Sequence, residues 1–222
     1  TTQNNSWVSC DYRSWHETAT DIAFEFQDHT NALVQGTTFA TRMGSAFQMC
    51  SPTTNGVRLR HCTFYSGGQQ VFNTADVANP TSTTHVKGCA FIARGTGDCA
   101  SNTTQPVFIS TLGTFGQSDS NYFATADTTN TFRKSGGGAT CYTPAAWRTA
   151  SGNDLASRAY VLNGGAVNDT TWATLDLTPK TGSSLLSATL FPGGYAGAKD
   201  AAGESPATEP PVVNTVCICA RR

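Results

Sequence analysis

Apolar and polar residues alternate along the first half of the chain in short runs, and the runs repeat. The sharpest is 21–28: Ile22, Phe24 and Phe26 fall on one face, and Ala23, Glu25 and Gln27 on the other. A period of two over four to eight residues predicts a strand with one buried face. Val57, Leu59, His61 and Thr63 keep the same rhythm, with Phe64 out of phase. Turn chemistry separates the runs at Asn55-Gly56, Gly67-Gly68, Asn79-Pro80 and Gly95-Thr96-Gly97.

The runs form two interleaved ladders. The first consists of Trp7-Val8-Ser9-Cys10-Asp11-Tyr12, Val34-Gln35-Gly36-Thr37-Thr38-Phe39, Leu59-Arg60-His61-Cys62-Thr63-Phe64 and Val86-Lys87-Gly88-Cys89-Ala90-Phe91. Its aromatic rungs, Tyr12, Phe39, Phe64 and Phe91, are 27, 25 and 27 residues apart. The second ladder is Phe24, Phe47, Phe72 and Phe108, spaced by 23, 25 and 36 residues. A single unit of this kind cannot bury its inward face, but stacked copies can, with Phe resting on Phe. Coils of about 25 residues with two or three strands each predict a parallel β-helix. An antiparallel β-sandwich also has recurrent strands between turns, but it does not require the same residue types at the same offsets. Cys10, Cys62 and Cys89 share one rung with Thr37, which predicts a column of small side chains beside the aromatic one.

Ser120-Asn121-Tyr122-Phe123 reads as a fifth rung of the first ladder, delayed by a loop at 99–105. A low-complexity stretch runs from 124 to 138. Thr143 to Gly152 carries helix signals: Thr143 as N-cap, Pro144 at the first helical position and Gly152 as the stop. Three segments then stand in order: Asn121-Tyr122-Phe123, the run from Trp147 through Gly152 and Asp154 to Ser157, and the run from Leu175 through Gly182-Ser183 to Ala188. Together with the ladders they span about residues 5 to 190. In this the chain resembles right-handed parallel β-helix proteins of the pectate-lyase-like superfamily, whose closing coil, Trp-x-x-x-x-Gly-x-Asp-x-x-Ser helix and Leu…Gly-Ser strand these segments match. The resemblance implies an all-β solenoid of about five to six coils over residues 1–190. It also implies a short helix near 144–151 and a Pro/Gly-rich C-terminal extension over 191–222. It says little about activity, because the superfamily holds polysaccharide lyases, glycoside hydrolases, phage tailspikes and non-catalytic virion or surface proteins. The opening Ser6 to Tyr12, followed by regular short coils, is similar to non-enzymatic β-helix structural proteins of phages.

Composition narrows the function. Charged residues are 13% of the 222 and the net charge is −1, without the basic footprint that nucleic acid requires. No apolar run approaches the roughly 18 to 20 residues of a membrane span. The start at Thr1-Thr2-Gln3 carries no signal-like segment and reads as a mature or excised piece of a longer chain. Thr, Ser, Gly and Asn stand in for charge, as on extracellular fibres and carbohydrate-facing proteins. That points to an extracellular or virion-surface setting. The eight Cys permit disulfides: Cys89…Cys99 and Cys50…Cys62 could each close a small loop, the alternative to core thiols. Sequons at Asn4, Asn102 and Asn168 are candidate glycosylation sites.

The search for chemistry yields little that is catalytic. Glycoside hydrolysis needs two carboxylates on one groove, and β-helix lyases hold calcium with several acids. The outward column beside the second ladder reads Glu25, Gln48, Asn73, Ile109, a single carboxylate followed by two amides. The scattered His and Cys spacings predict no zinc site, and no cofactor is expected. The best polar cluster is basic: Arg58 and Arg60 on one coil, His85 and Lys87 on the next, with His61 nearby. Stacking would place Arg60 over Lys87 and Arg58 over His85. This is either a strip for anionic sugar or another acidic surface, or a solvated face that keeps the solenoid soluble. Trp15 and Glu17, in a turn, are a second candidate for sugar contact. Two functions follow. One is a non-catalytic structural or attachment module whose partners are copies of itself, neighbouring structural proteins or a glycan. The other is a polysaccharide lyase or glycoside hydrolase acting on an acidic polysaccharide.

Overall fold

Three parallel sheets carry most of the strands, and the chain visits them in rotation. The computed structural model describes residues 2–3, 6–14, 22, 24–27, 29–50, 56–67, 71–73, 84–94, 108–110, 115–125, 132–134, 140–161, 166–189, 191, 194–200 and 202. The first sheet stacks Ser6–Val8, Leu33–Gln35, Arg58–Arg60, Thr84–Lys87 and Phe115–Asp119. The second stacks Asp11–Ser14, Thr38–Thr41, Thr63–Ser66, Ala90–Ala93, Tyr122–Thr125 and Arg158–Val161. The third stacks Glu25–Gln27, Phe47–Cys50, Phe72–Asn73, Phe108–Ser110 and Phe132–Lys134, closed by an antiparallel strand, Thr140–Tyr142. The protein is therefore mostly β with stacked parallel sheets, an arrangement compatible with a β-helix or other solenoid. The parallel pairing is what a sandwich lacks.

The register is the one the ladders imply. Tyr12 pairs with Phe39, Phe39 with Phe64, Phe64 with Phe91 and Phe91 with Phe123. Phe39, Phe64, Phe91 and Phe123 stack face to face with centroids 5.3, 5.0 and 5.1 Å apart and planes within 10°. Phe24, Phe47 and Phe72 form a second stack at 5.6 and 5.3 Å. The two stacks meet edge to face, as in Phe47 against Phe64 at 5.3 Å and Phe72 against Phe91 at 5.5 Å, the geometry aromatic quadrupoles favour. Phe132 carries the second stack to Trp147 at 5.0 Å and 3°.

Where a described strand of the first sheet leads into one of the second, the corner is a left-handed residue: Ser9, Gly36, His61, Gly88 and Ser120. Each is followed by an inward residue of the small-residue column. Cys62 and Cys89 are fully buried, and Cys10 is half-buried; none of the three is in a disulfide, so neither Cys50…Cys62 nor Cys89…Cys99 is bridged. The column exchanges hydrogen bonds between coils in place of disulfides. The Cys62 amide donates to the Cys89 sulfur at 3.5 Å, and the Cys89 amide to Asn121 Oδ1 at 3.0 Å. The Asn121 amide donates to Ser157 Oγ at 2.8 Å. Burial pushes the Cys89 thiol well above its ordinary pKa, which keeps it protonated and inert.

The helix spans Pro144–Ser151 with Thr143 accepting from the Ala146 amide and a left-handed Gly152 behind it, as the capping signals predict. It seats Trp147 over the last described coil. A second apolar layer lies outside the second sheet. Ala40, Tyr65, Ile92 and Ala124 point away from the aromatic interior and are covered by Val167, Leu175, Leu177, Leu185, Phe191 and Ala196. An antiparallel pair, Val167–Asp169 with Asp176–Pro179, anchors this layer. Trp172 stacks on Tyr65 at 6.4 Å. Phe191 and 194–198, within the stretch expected as an extension, also lie against the second sheet.

Candidate functional site

The basic cluster is built by two neighbouring strands of the first sheet. In Arg58–Arg60 and Thr84–Lys87 the alternation sends Leu59 and Val86 into the core, both fully buried. It sends Arg58, Arg60, His85 and Lys87 outward. Parallel pairing sets Arg58 opposite His85 and Arg60 opposite Lys87, as expected. Neighbouring strands lie about 4.8 Å apart and alternate residues about 6.6 Å along a strand, so the four side chains leave the corners of a small rectangle. Lys87 is exposed and the other three half-buried. One flank is Leu33 and Gln35, both buried. The other is Gln117 and Asp119. Asp119 Oδ1 accepts the Ala156 amide at 2.7 Å, which holds this single acid at the strip's margin.

His61 completes the cluster from the corner. It holds a left-handed φ of 46°. Its ring lies against Gly88: a Cβ there would stand 3.0 Å from His61 Cε1 and 3.1 Å from Nδ1. Gly88 itself has φ +66°, so a side chain at that corner is excluded twice over. The Tyr195 ring is 5.2 Å from the imidazole. Burial first, then Arg60 and then Lys87, hold the imidazole below its ordinary pKa.

The remaining candidates fare differently. The column Glu25, Gln48, Asn73, Ile109 is paired in that order, so its single carboxylate has the Gln48 amide for a neighbour and the Asn73 amide one strand further on. Trp15, Glu17, Asn4 and Asn102 lie outside the described residues. Asn168 is exposed, but its side-chain amide donates to Asp176 Oδ2 at 2.9 Å. The next turn is pinned by Tyr65 and Arg94, which donate to the Thr170 carbonyl at 2.7 and 3.0 Å. Among the described residues, no group of three or more His, Cys, Asp or Glu is placed to hold a metal, and no helix is long and apolar enough to cross a membrane.

The sequence reading missed one chemical centre, the buried carboxylate of Asp154. It accepts from Ser118 Oγ (2.9 Å), Asn121 Nδ2 (3.1 Å), Ser157 Oγ (2.8 Å) and Trp147 Nε1 (3.0 Å). Fully buried and saturated with donors, it ties the helix to the last coils and is closed to any substrate. Its signal was the Trp…Gly-x-Asp-x-x-Ser spacing already noted for the helix segment. No protein-family model, curated protein or solved structure matches the chain.

Proposed function

We propose that this chain is a right-handed parallel β-helix of about five to six coils, of the pectate-lyase-like kind. We propose further that it acts as a non-catalytic attachment module on a virion or cell surface, with the strip Arg58, Arg60, His85 and Lys87 engaging an acidic polysaccharide. The observation that carries the reading is the strip's construction. Four basic side chains stand on a sheet whose backbone ladder and packed core fix the spacing of their Cα atoms, so no backbone ordering opposes binding. A regular array of cations matches a polymer with regularly spaced carboxylates or sulfates better than it matches a single small anion. The outward column at Glu25 lends no support to hydrolysis or lyase chemistry, since the positions that follow it, Gln48 beside it and Asn73 one strand further on, are amides.

Binding to polygalacturonate, with neutral dextran as control, tests the reading. The wild-type chain is expected to bind the uronate polymer at low salt, to release it as ionic strength rises, and to leave the polymer's length unchanged. Neutralising two charges with Arg60→Gln and Lys87→Gln is expected to weaken binding about tenfold, at roughly 0.5–1 kcal/mol per exposed contact. New reducing or unsaturated chain ends would instead select the enzyme. Equal binding by the double variant would remove the strip from the account.

A further inference from the structure

We propose that residues 194–198 form a strap released by protonation of His61, whose ring the strap covers at the corner of two coils. The Ala196 amide ties the strap to the Leu185 carbonyl at 2.9 Å, and three contacts seat it on the coils. The Gly197 amide donates to the Gly88 carbonyl at 2.8 Å. The Ala198 amide donates to Thr63 Oγ1 at 2.8 Å. Tyr195 packs on His61 with ring centroids 5.2 Å apart. The fit is close: Gly197 has φ +106°, and a Cβ there would stand 2.7 Å from Thr63 Oγ1 and 3.3 Å from the Ala90 Cβ. Strap and latch therefore meet through two glycines, Gly88 under the imidazole and Gly197 over Thr63.

The latch is sensitive to a proton because His61 Nδ1 is buried and finds no hydrogen-bond partner among the described residues. Such a nitrogen is tolerable in a neutral ring and costly in a charged one, which must place an N–H where nothing accepts it. The charged groups facing the ring increase the cost. Arg60 comes from its own strand and Lys87 from the next coil, and both act in the same direction as burial to keep the imidazole neutral. Among the described residues, the titratable group that the strap brings against the ring is Tyr195. That phenol is pushed up to about 12, by burial first and then by Asp200, so it stays neutral. Opening the strap returns the ring to water and removes the largest of these influences. The closed state thus binds fewer protons than the open one. The strap's hold is complete above about pH 6.5, the ordinary histidine value, and is lost as the pH falls toward the lowered value of the closed state.

Amide hydrogen exchange on the full chain reads this directly. The reporters are the Gly197 and Ala198 amides, with protection expressed relative to intrinsic exchange at each pH. Protection is expected to fall between pH 7.5 and pH 5, about tenfold for each unit by which His61 is lowered. The Asn121 amide, bonded to Ser157 Oγ, should not change. His61→Asn suits a left-handed corner and cannot titrate near neutrality, so it should hold the strap equally at both values. Gly197→Ala should open it at both. Unchanged wild-type protection at pH 5, the same loss in His61→Asn, or wild-type protection in Gly197→Ala would each overturn the proposal. Should the variants fail to fold, the NMR titration of His61 in the wild-type chain decides: a midpoint below 6.5 supports the latch, and one at or above it removes it. None of these readouts depends on whether the neighbouring strip binds a polysaccharide.

Discussion

Phe64→Ala is expected to lower the stability of the chain by about 3–5 kcal/mol, the upper range for a buried aromatic. Phe64 is fully buried. It stacks on Phe39 at 5.3 Å and Phe91 at 5.0 Å, and meets Phe47 and Phe72 edge to face at 5.3 and 5.4 Å. The cost should sit high in the range because the site cannot collapse. Each neighbouring ring is held at the height of its own coil by the backbone ladder, so the hole stays open. In a chain of this size the loss corresponds to a fall in Tm of roughly 2–4 °C per kcal/mol. Chemical denaturation of Phe64→Ala measures it, with Leu155→Ala as the control, since Leu155 is 66% exposed and its truncation should cost under about 0.5 kcal/mol. Phe64→Ala and Phe91→Ala, whose rings touch, should not add. A Phe64→Ala cost under about 1 kcal/mol would mean that the aromatic columns do not hold the stack together.

That experiment also addresses the part of the fold most legible in the sequence. Tyr12, Phe39, Phe64, Phe91 and Phe123 fall into line in the sequence because one inward position per repeat is filled by an aromatic residue. A parallel stack in register turns such recurrence into contact. The helix at Pro144–Ser151 was equally legible, since Thr143, Pro144 and Gly152 act locally and need no tertiary partner. The basic strip followed from the same register, because Arg58, Arg60, His85 and Lys87 share the phase of the ladder.

The outer layer over the second sheet was harder to read. Its clue was present in Thr38–Thr41, Thr63–Ser66, Ala90–Ala93 and Tyr122–Thr125, all buried at every position. Phe-Tyr at 64–65 and Phe-Ile at 91–92 break the alternation and mark strands covered on both faces. What covers them comes from residues 166–198, far along the chain: Tyr65 and Thr170 are 105 positions apart. It is an irregular chain without a period, so no repeat announced it. The His61 corner was hidden for a related reason. The imidazole fits only because Gly88 leaves room one coil later, and Tyr195 arrives from the far end of the chain. Neither fact is written near position 61.

Asp154→Asn is the second substitution with a large expected effect, about 2–4 kcal/mol, even though it keeps the size of the side chain. Oδ1 accepts from Ser118, Asn121 and Ser157, and Oδ2 from Trp147. An amide offers one oxygen and one nitrogen. With its oxygen toward Ser118, Asn121 and Ser157, its NH₂ confronts the Trp147 Nε1–H. Turned the other way, it confronts the Asn121 Nδ2–H. The two serine hydroxyls can rotate to accept, but indole and amide nitrogens cannot. The first orientation leaves the buried indole N–H unsatisfied, at about 1–3 kcal/mol. The second sets two NH₂ groups against each other and costs Asn121 Nδ2 one of its acceptors, leaving it the Val86 carbonyl and Ser118 Oγ, both at 3.1 Å. The ties between helix and last coil are weakened as well. The first orientation becomes acceptable once the indole N–H is gone. Asp154→Asn should therefore cost less in a Trp147→Phe background, and a double-mutant cycle should return a coupling of about 1–2 kcal/mol. The pH dependence supplies a separate check. Burial, the largest influence, lifts the Asp154 carboxyl above its ordinary value despite its donors. An acid raised on folding favours the folded state most below its unfolded value, near pH 4, and that contribution is lost as pH rises through the lifted value. The difference in stability between wild type and Asp154→Asn should shift in that direction over that window. A flat difference, together with a cycle that closes to zero, would mean that Asp154 is not the tie between Trp147 and the last coils.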